Sequence, residues 1–227
     1  MSLFGLFKSD TDKLLEAVLH DDFVIVQTLL NKNISANTKD SKNTTALMFA
    51  AGNGHDATLR ILLDKGANVN LQNSDGATAL MYATIANNAV IVNMLLEYGA
   101  DVELKDLKGF TALMAAAMQG YFDMVSLLIK SGKANIDARN KNGSTALILA
   151  AQYDKTLMLQ CLLDLGAAIN AQNNDGNTAL WMAAMQRNKH STQFLIFRGA
   201  DAAIPNKMGL TAKAYIERLE KSNSWNL

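Results

Sequence analysis

The chain of 227 residues holds one proline, one cysteine and no net charge, with 21 basic and 21 acidic side chains. Each shortage excludes something. A lone Cys161 allows no internal disulfide, so nothing points to an oxidising compartment. A balanced charge supplies no overall field to gather phosphates or anionic lipid, which argues against nucleic acid and membrane surfaces as partners. No apolar run approaches the ~18 residues that a membrane span needs. The N-terminal MSLFGLFKSD lacks a basic stretch and a full apolar core, so no Sec-type signal is expected. The expected location is cytoplasmic; a protein exported by a machine that reads no such signal would look the same.

Repetition is what the sequence has in abundance. TALMFAA begins at Thr45, TALMYAT at Thr78, TALMAAA at Thr111, TALILAA at Thr145 and TALWMAA at Thr178; Thr211 continues the series. The steps are 33, 33, 34, 33 and 33 residues. Such a fixed period signals stacked structural repeats. One period before Thr45, DKLLEAV keeps Leu14 and Ala17 in register but has no threonine, so it reads as a degenerate first unit.

The physics of one unit follows from its letters. Thr suits a helix N-cap, and the Leu and alanines after it fall at helical spacing. A break follows at Gly54, Asn87, Gly120, Asp154 or Arg187. A second apolar helix comes next and closes at Gly66, Gly99, Gly132, Gly166 or Gly199, where a left-handed residue is wanted. An extended, β-type finger then leads to a turn with Asp or Asn first and Gly fourth, as in Asn73 to Gly76, which suits type I geometry. No unit can bury its apolar faces alone, so stacking supplies the core. The 34-residue step comes from Lys133-Ala134, where a local bulge without loss of register is expected.

DLKGFTALMAAAMQGYFDMVSLLIKSGKANID, from Asp106, resembles the ankyrin repeat, whose unit runs roughly D-x-x-G-x-T-P-L-H-x-A-A-x-x-G-H. The resemblance covers residues 12 to about 218. It implies an all-α repeat solenoid of paired antiparallel helices with β-hairpin-like fingers. On that reading residues 1–11 form an N-terminal arm and 12–218 a single solenoid. Its parts are a cap unit at about 12–39, repeats at about 40–72, 73–105, 106–139, 140–172 and 173–205, and a closing helix at about 206–220. Residues 221–227 form a tail. The charged flanks of both end units read as caps, so the array is expected to be complete.

Two departures recur. The family's Pro after Thr is Ala here, at Ala46, Ala79, Ala112, Ala146 and Ala179. Its His is replaced by Met48, Met81, Met114, Ile148 and Trp181. Both substitutions imply fewer polar ties and more apolar filling between units. The Met-rich, Pro-poor form looks more like bacterial members of the family than animal ones.

Family members bind proteins on a concave surface of finger tips and inner helices. Carried over, that surface comprises Phe49, Tyr82, Ile85, Leu107, Lys108, Phe110, Met118, Leu149, Tyr153, Met182 and Met185. Aromatic and Met side chains among polar neighbours have the character of an interface core. The alternative for Leu107 and Phe110 is that they cover adjacent fingers.

Nothing in the chain favours chemistry. His20, His55 and His190 lie in separate units without ligand spacing, and His55 holds a structural position in the family pattern. Cys161 occupies a core leucine position, where a buried, inert thiol is expected. In the run from Ala171 to Asn177 the first calcium ligand would be Ala171 and the twelfth Met182, which excludes an EF-hand. There is no phosphate loop, nucleophile elbow or paired-Cys spacing. The sequons at Asn33, Asn43 and Asn142 carry no weight without a secretory signal.

The expectation is therefore a non-enzymatic protein–protein interaction module, without cofactor or metal, binding a protein partner. The alternatives are an effector or inhibitor acting on a partner enzyme, and a self-associating structural module using Trp225 or the apolar arm at Phe4, Leu6 and Phe7. A monomer is expected, with weak self-association as the variant.

Overall fold

The computed structural model describes residues 9–221. The apolar arm and Trp225 lie outside the described residues. The chain divides into two compact units, Met1–Leu107 and Lys108–Leu227.

The first unit holds α1 (Asp10–Leu19), α2 (Phe23–Asn31), α3 (Ala46–Asn53), α4 (Asp56–Asp64), α5 (Ala79–Ile85) and α6 (Ala89–Glu97). Inner helices α1, α3 and α5 pack in sequence; outer helices α2, α4 and α6 do the same behind them. The second unit holds α7 (Ala112–Gln119), α8 (Phe122–Lys130), α9 (Ala146–Gln152), α10 (Thr156–Asp164), α11 (Ala179–Met185), α12 (Lys189–Phe197) and α13 (Ala212–Lys221). There α7, α9, α11 and α13 form the inner row, and α10 packs on α12.

Each inner helix starts where its threonine stands. The hydroxyls of Thr45, Thr78, Thr111, Thr145 and Thr178 accept the amide three residues on at 3.2–3.4 Å. Each such bond is worth about 1 kcal/mol at a helix start. In the degenerate first unit Ser9 takes over: it accepts from the Asp12 amide while the Asp12 carboxylate accepts from the Ser9 amide. Helix α1 therefore reaches two residues into the stretch read as an arm. The closing helix starts later than the pattern suggested. Residues 206–211 are a finger turn and a capping Thr211, whose hydroxyl accepts from Ala214.

The breaks are left-handed as their positions demanded, including Asn87 (φ 54°), Asp154 (φ 53°) and Arg187 (φ 60°). A non-glycine residue there costs roughly 1–2 kcal/mol, which the short connection between antiparallel helices imposes. The fingers keep the hairpin-like form: the first turn residue donates its amide to the carbonyl four residues on, as Asn73 does to Ala77 at 3.0 Å. Among the described residues they pair only as isolated bridges, Lys39 with Thr45 and Pro205 with Thr211. The turns are closed by Asn73, Asn140, Asn173 and Asn206. Each side-chain oxygen accepts two amides of its own turn, which fixes the turn. The extra residue at Lys133-Ala134 lengthens one connection, and α9 still starts in register behind Thr145.

The core is the repeated letters themselves. Leu47, Leu80, Leu113, Leu147 and Leu180 are buried, as are the alanines that let helices approach. Met48, Met81, Met114, Ile148 and Trp181 are buried too, so they fill the slots between helices. The Met48 sulfur also accepts the Thr45 amide at 3.4 Å, a polar tie in place of the family's imidazole.

Candidate functional site

The side chains proposed for binding come from two register rows of the inner helices and from the fingers. In the first unit Phe49 is half-buried on α3 and Tyr82 half-buried on α5. Ile85 ends α5 at 55% exposure, and Leu107 stands 60% exposed on its finger. Tyr82 is held from two sides. Its hydroxyl accepts from Asn73 Nδ2 at 3.1 Å. Its ring lies over Gly52, where an added Cβ would come within 3.0 Å of Tyr82 Cδ1. Gly52 is thus a positioning residue that the binding pattern alone did not single out. Leu107 is anchored through its backbone, which donates to the Asp75 carbonyl at 2.8 Å.

In the second unit Phe110 and Met118 are half-buried, while Tyr153 (49%) and Met185 (39%) are exposed at the ends of α9 and α11. Lys108 is exposed, and its carbonyl accepts from the Lys141 amide at 3.0 Å. Two members of the expected surface offer little to a partner. Leu149 is 5% and Met182 8% exposed. An unbranched or aliphatic side chain at this helix position lies down into the groove between helices: α9 is flanked by α7 and α11, and α11 by α9 and α13. The indole of Trp181 meets the Tyr215 ring of α13, centroids 5.6 Å apart.

The sequence reading missed the outer helices. Val24, Val90 and Leu157 are 60–68% exposed at the second position of α2, α6 and α10, and Phe197 at the end of α12 is 85% exposed. The available signal was comparison down the column, where other units carry Ala57, Asp123 and His190, or Asp64 and Asp164.

The titratable groups are structural. The His55 ring nitrogen Nδ1 lies 2.9 Å from the Val18 carbonyl and ties α4 to α1. Burial, with the Asp164 charge, pushes the Cys161 thiol up, and a hydrogen bond from Ser126 only partly opposes this. Such a thiol is a poor nucleophile at neutral pH. Tyr98 donates to the Asp64 carboxylate, and that bond raises its pKa above the ordinary 10.0. Lys13 pairs with Asp10 at 2.9 Å and holds that carboxyl below its usual range. Shallow clefts of about 410 Å³ beside Asn37 and Lys65, and about 360 Å³ beside Phe122 and Leu157, open on the surface. Among the described residues no three His, Cys, Asp or Glu side chains gather where a metal could bind.

Comparison with known proteins decides the family. The family description "Ankyrin repeats (3 copies)" matches residues 14–106 and again 103–173, and "Ankyrin repeat" matches 175–207. The chain is an ankyrin repeat protein. Its ankyrin repeats are similar to the crystal structure of the human ASB11 ankyrin repeat domain. The TM-score is 0.78 at 29% identity, over 88% of this chain and 89% of that one. No curated protein matches it. Matching solved chains number 592, so ankyrin architecture by itself selects no partner. Ankyrin repeats are in general protein-binding, non-catalytic modules. Among the described residues no helix is long and apolar enough to cross a membrane.

Proposed function

We propose that this ankyrin protein binds a protein partner through the inner-helix ends and finger tips of its repeats, and performs no chemistry of its own. The observation that carries the reading is the set of large side chains exposed at helix ends and on a finger: Ile85 and Leu107 in the first unit, Tyr153 and Met185 in the second. An aromatic side chain such as Tyr153 binds with little further loss of freedom, and the flexible Met185 adapts its shape to a partner. Half-buried Tyr82 in the first unit and Phe110 in the second are the anchors of their own units, and exposed Lys108 of the second supplies a polar rim.

The test is capture of partners from the source lysate with the full chain and with Phe110→Ala and Tyr153→Ala variants. Affinity for a captured protein is then measured by calorimetry. Each truncation is expected to weaken binding by more than ~1 kcal/mol, as anchors do. Unchanged affinity in both, with native circular dichroism, places the binding surface elsewhere and favours the exposed outer-helix row.

A further inference from the structure

The neutral chain is not neutral locally. Met1–Leu107 carries 8 basic and 13 acidic side chains, and Lys108–Leu227 carries 13 basic and 8 acidic. The imbalance is sharp at the extremes. Residues 9–32, with α1 and α2, hold five carboxylates against two lysines. Residues 187–221, with α12 and α13, hold seven basic side chains against three acidic. Asp10 and Glu16 of α1, and Lys213 and Arg218 of α13, are exposed.

The fingers at the same two ends complement each other in hydrogen bonding. Within the units each finger donates its second-position amide to the third-position carbonyl of the finger before it. The pairs are Ser74 to Lys42, Leu107 to Asp75, Lys141 to Lys108, Asn174 to Asn142 and Lys207 to Asp175, all at 2.8–3.0 Å. The series leaves one donor and one acceptor over. The Ser41 amide and the Met208 carbonyl make no such bond among the described residues. A Cβ at Gly109 would lie 2.6 Å from the next finger's backbone, whereas at Gly209 nothing lies within 4 Å. Met208 and Leu210 on that last finger are 80% and 46% exposed. What covers such a finger elsewhere in this chain is another finger of this chain.

We infer that two copies associate head to tail, the basic α13 end of one meeting the acidic α1 end of the next, with the Ser41 amide donating to the Met208 carbonyl. Opposite charge brings the ends together, and the finger bond sets the register. The contact is heterologous: it uses different surfaces on each copy and builds a closed ring or an open chain. This goes beyond partner binding by the inner helices and does not depend on it.

Sedimentation equilibrium of the full chain over a concentration series tests the inference. In about 0.01 M salt, where charges act over about 30 Å, the weight-average mass should climb from 24.6 kDa to at least twice that value. In about 1 M salt, where the range falls to about 3 Å, it should return to the single-chain mass. A Lys213→Glu/Arg218→Glu variant should stay monomeric in low salt. Mixing it with an Asp10→Lys/Glu16→Lys variant should restore mixed association. Circular dichroism confirms that both variants fold, and the salt series on the unaltered chain needs no variant. A single-chain mass at every concentration in low salt overturns the inference. So does association indifferent to salt and to charge reversal.

Discussion

Ala46 and Ala112 hold the same place in two inner helices and differ by one hydrogen bond. The Ala46 amide donates to the Thr38 carbonyl at 2.9 Å; the Ala112 amide makes no such bond among the described residues. Both follow a threonine in the extended region, which tolerates a following proline. Ala112→Pro should therefore stabilise the chain by about 0.4–1 kcal/mol through the unfolded state. Ala46→Pro should destabilise it by about 1 kcal/mol or more, because it removes the amide that donates to the carbonyl of buried Thr38. Paired urea melts check the difference in sign. Tyr98 offers a second residue-scale test. Its neutral phenol is favoured in the fold by the Asp64 carboxylate, so its folded pKa lies above its unfolded one. That contribution is complete below about pH 10 and is lost as pH rises through the raised value. Ultraviolet titration of the chain against Tyr98→Phe isolates the group, and Asp64→Ala should move its midpoint down.

Among the elements, α12 departs furthest from its row. Outer helices place Leu59, Val92, Val125 and Leu159 at one fully buried position; α12 places Thr192 there. Its hydroxyl is buried without a hydrogen-bond partner among the described residues. The Asn188 side-chain amide, at the start of this helix, reaches the Ala151 carbonyl at 2.9 Å. An unmatched buried hydroxyl costs about 1–3 kcal/mol. Thr192→Val keeps the shape and removes that cost, so a thermal melt should show a stabilisation of about 1 kcal/mol or more. A loss instead would mean that the hydroxyl has a water partner.

At the scale of the whole molecule, the repeat was legible because every unit writes the same signals at one period. Thr caps, the left-handed breaks and the closing glycines each stood in a fixed column. The finger turn was legible too: Asp or Asn first and Gly fourth mark it, and the Asn73 side chain accepts two of its amides while its own amide donates to Ala77. The surface was legible in position and not in depth. Phe49 and Leu149 share a column, and only packing against neighbouring helices decides that the first is half-buried and the second hidden. The outer-helix row escaped notice because one apolar letter on an apolar helix carries no contrast within its own unit.

The one-residue lengthening at Lys133-Ala134 also says where this chain can accept foreign sequence. The extra residue sits just past the left-handed Gly132 (φ 74°), and Thr145 still caps α9 beyond it. A short Gly-Ser segment or peptide tag placed between Lys133 and Ala134 should leave the melting temperature within about 2 °C, since a longer surface loop costs only ~0.6 kcal/mol per doubling. The same segment between Asp175 and Gly176 should lower it clearly, because it displaces the carbonyl that accepts the Lys207 amide. The repeat thus carries its own grafting point, marked by a place where its length has already changed.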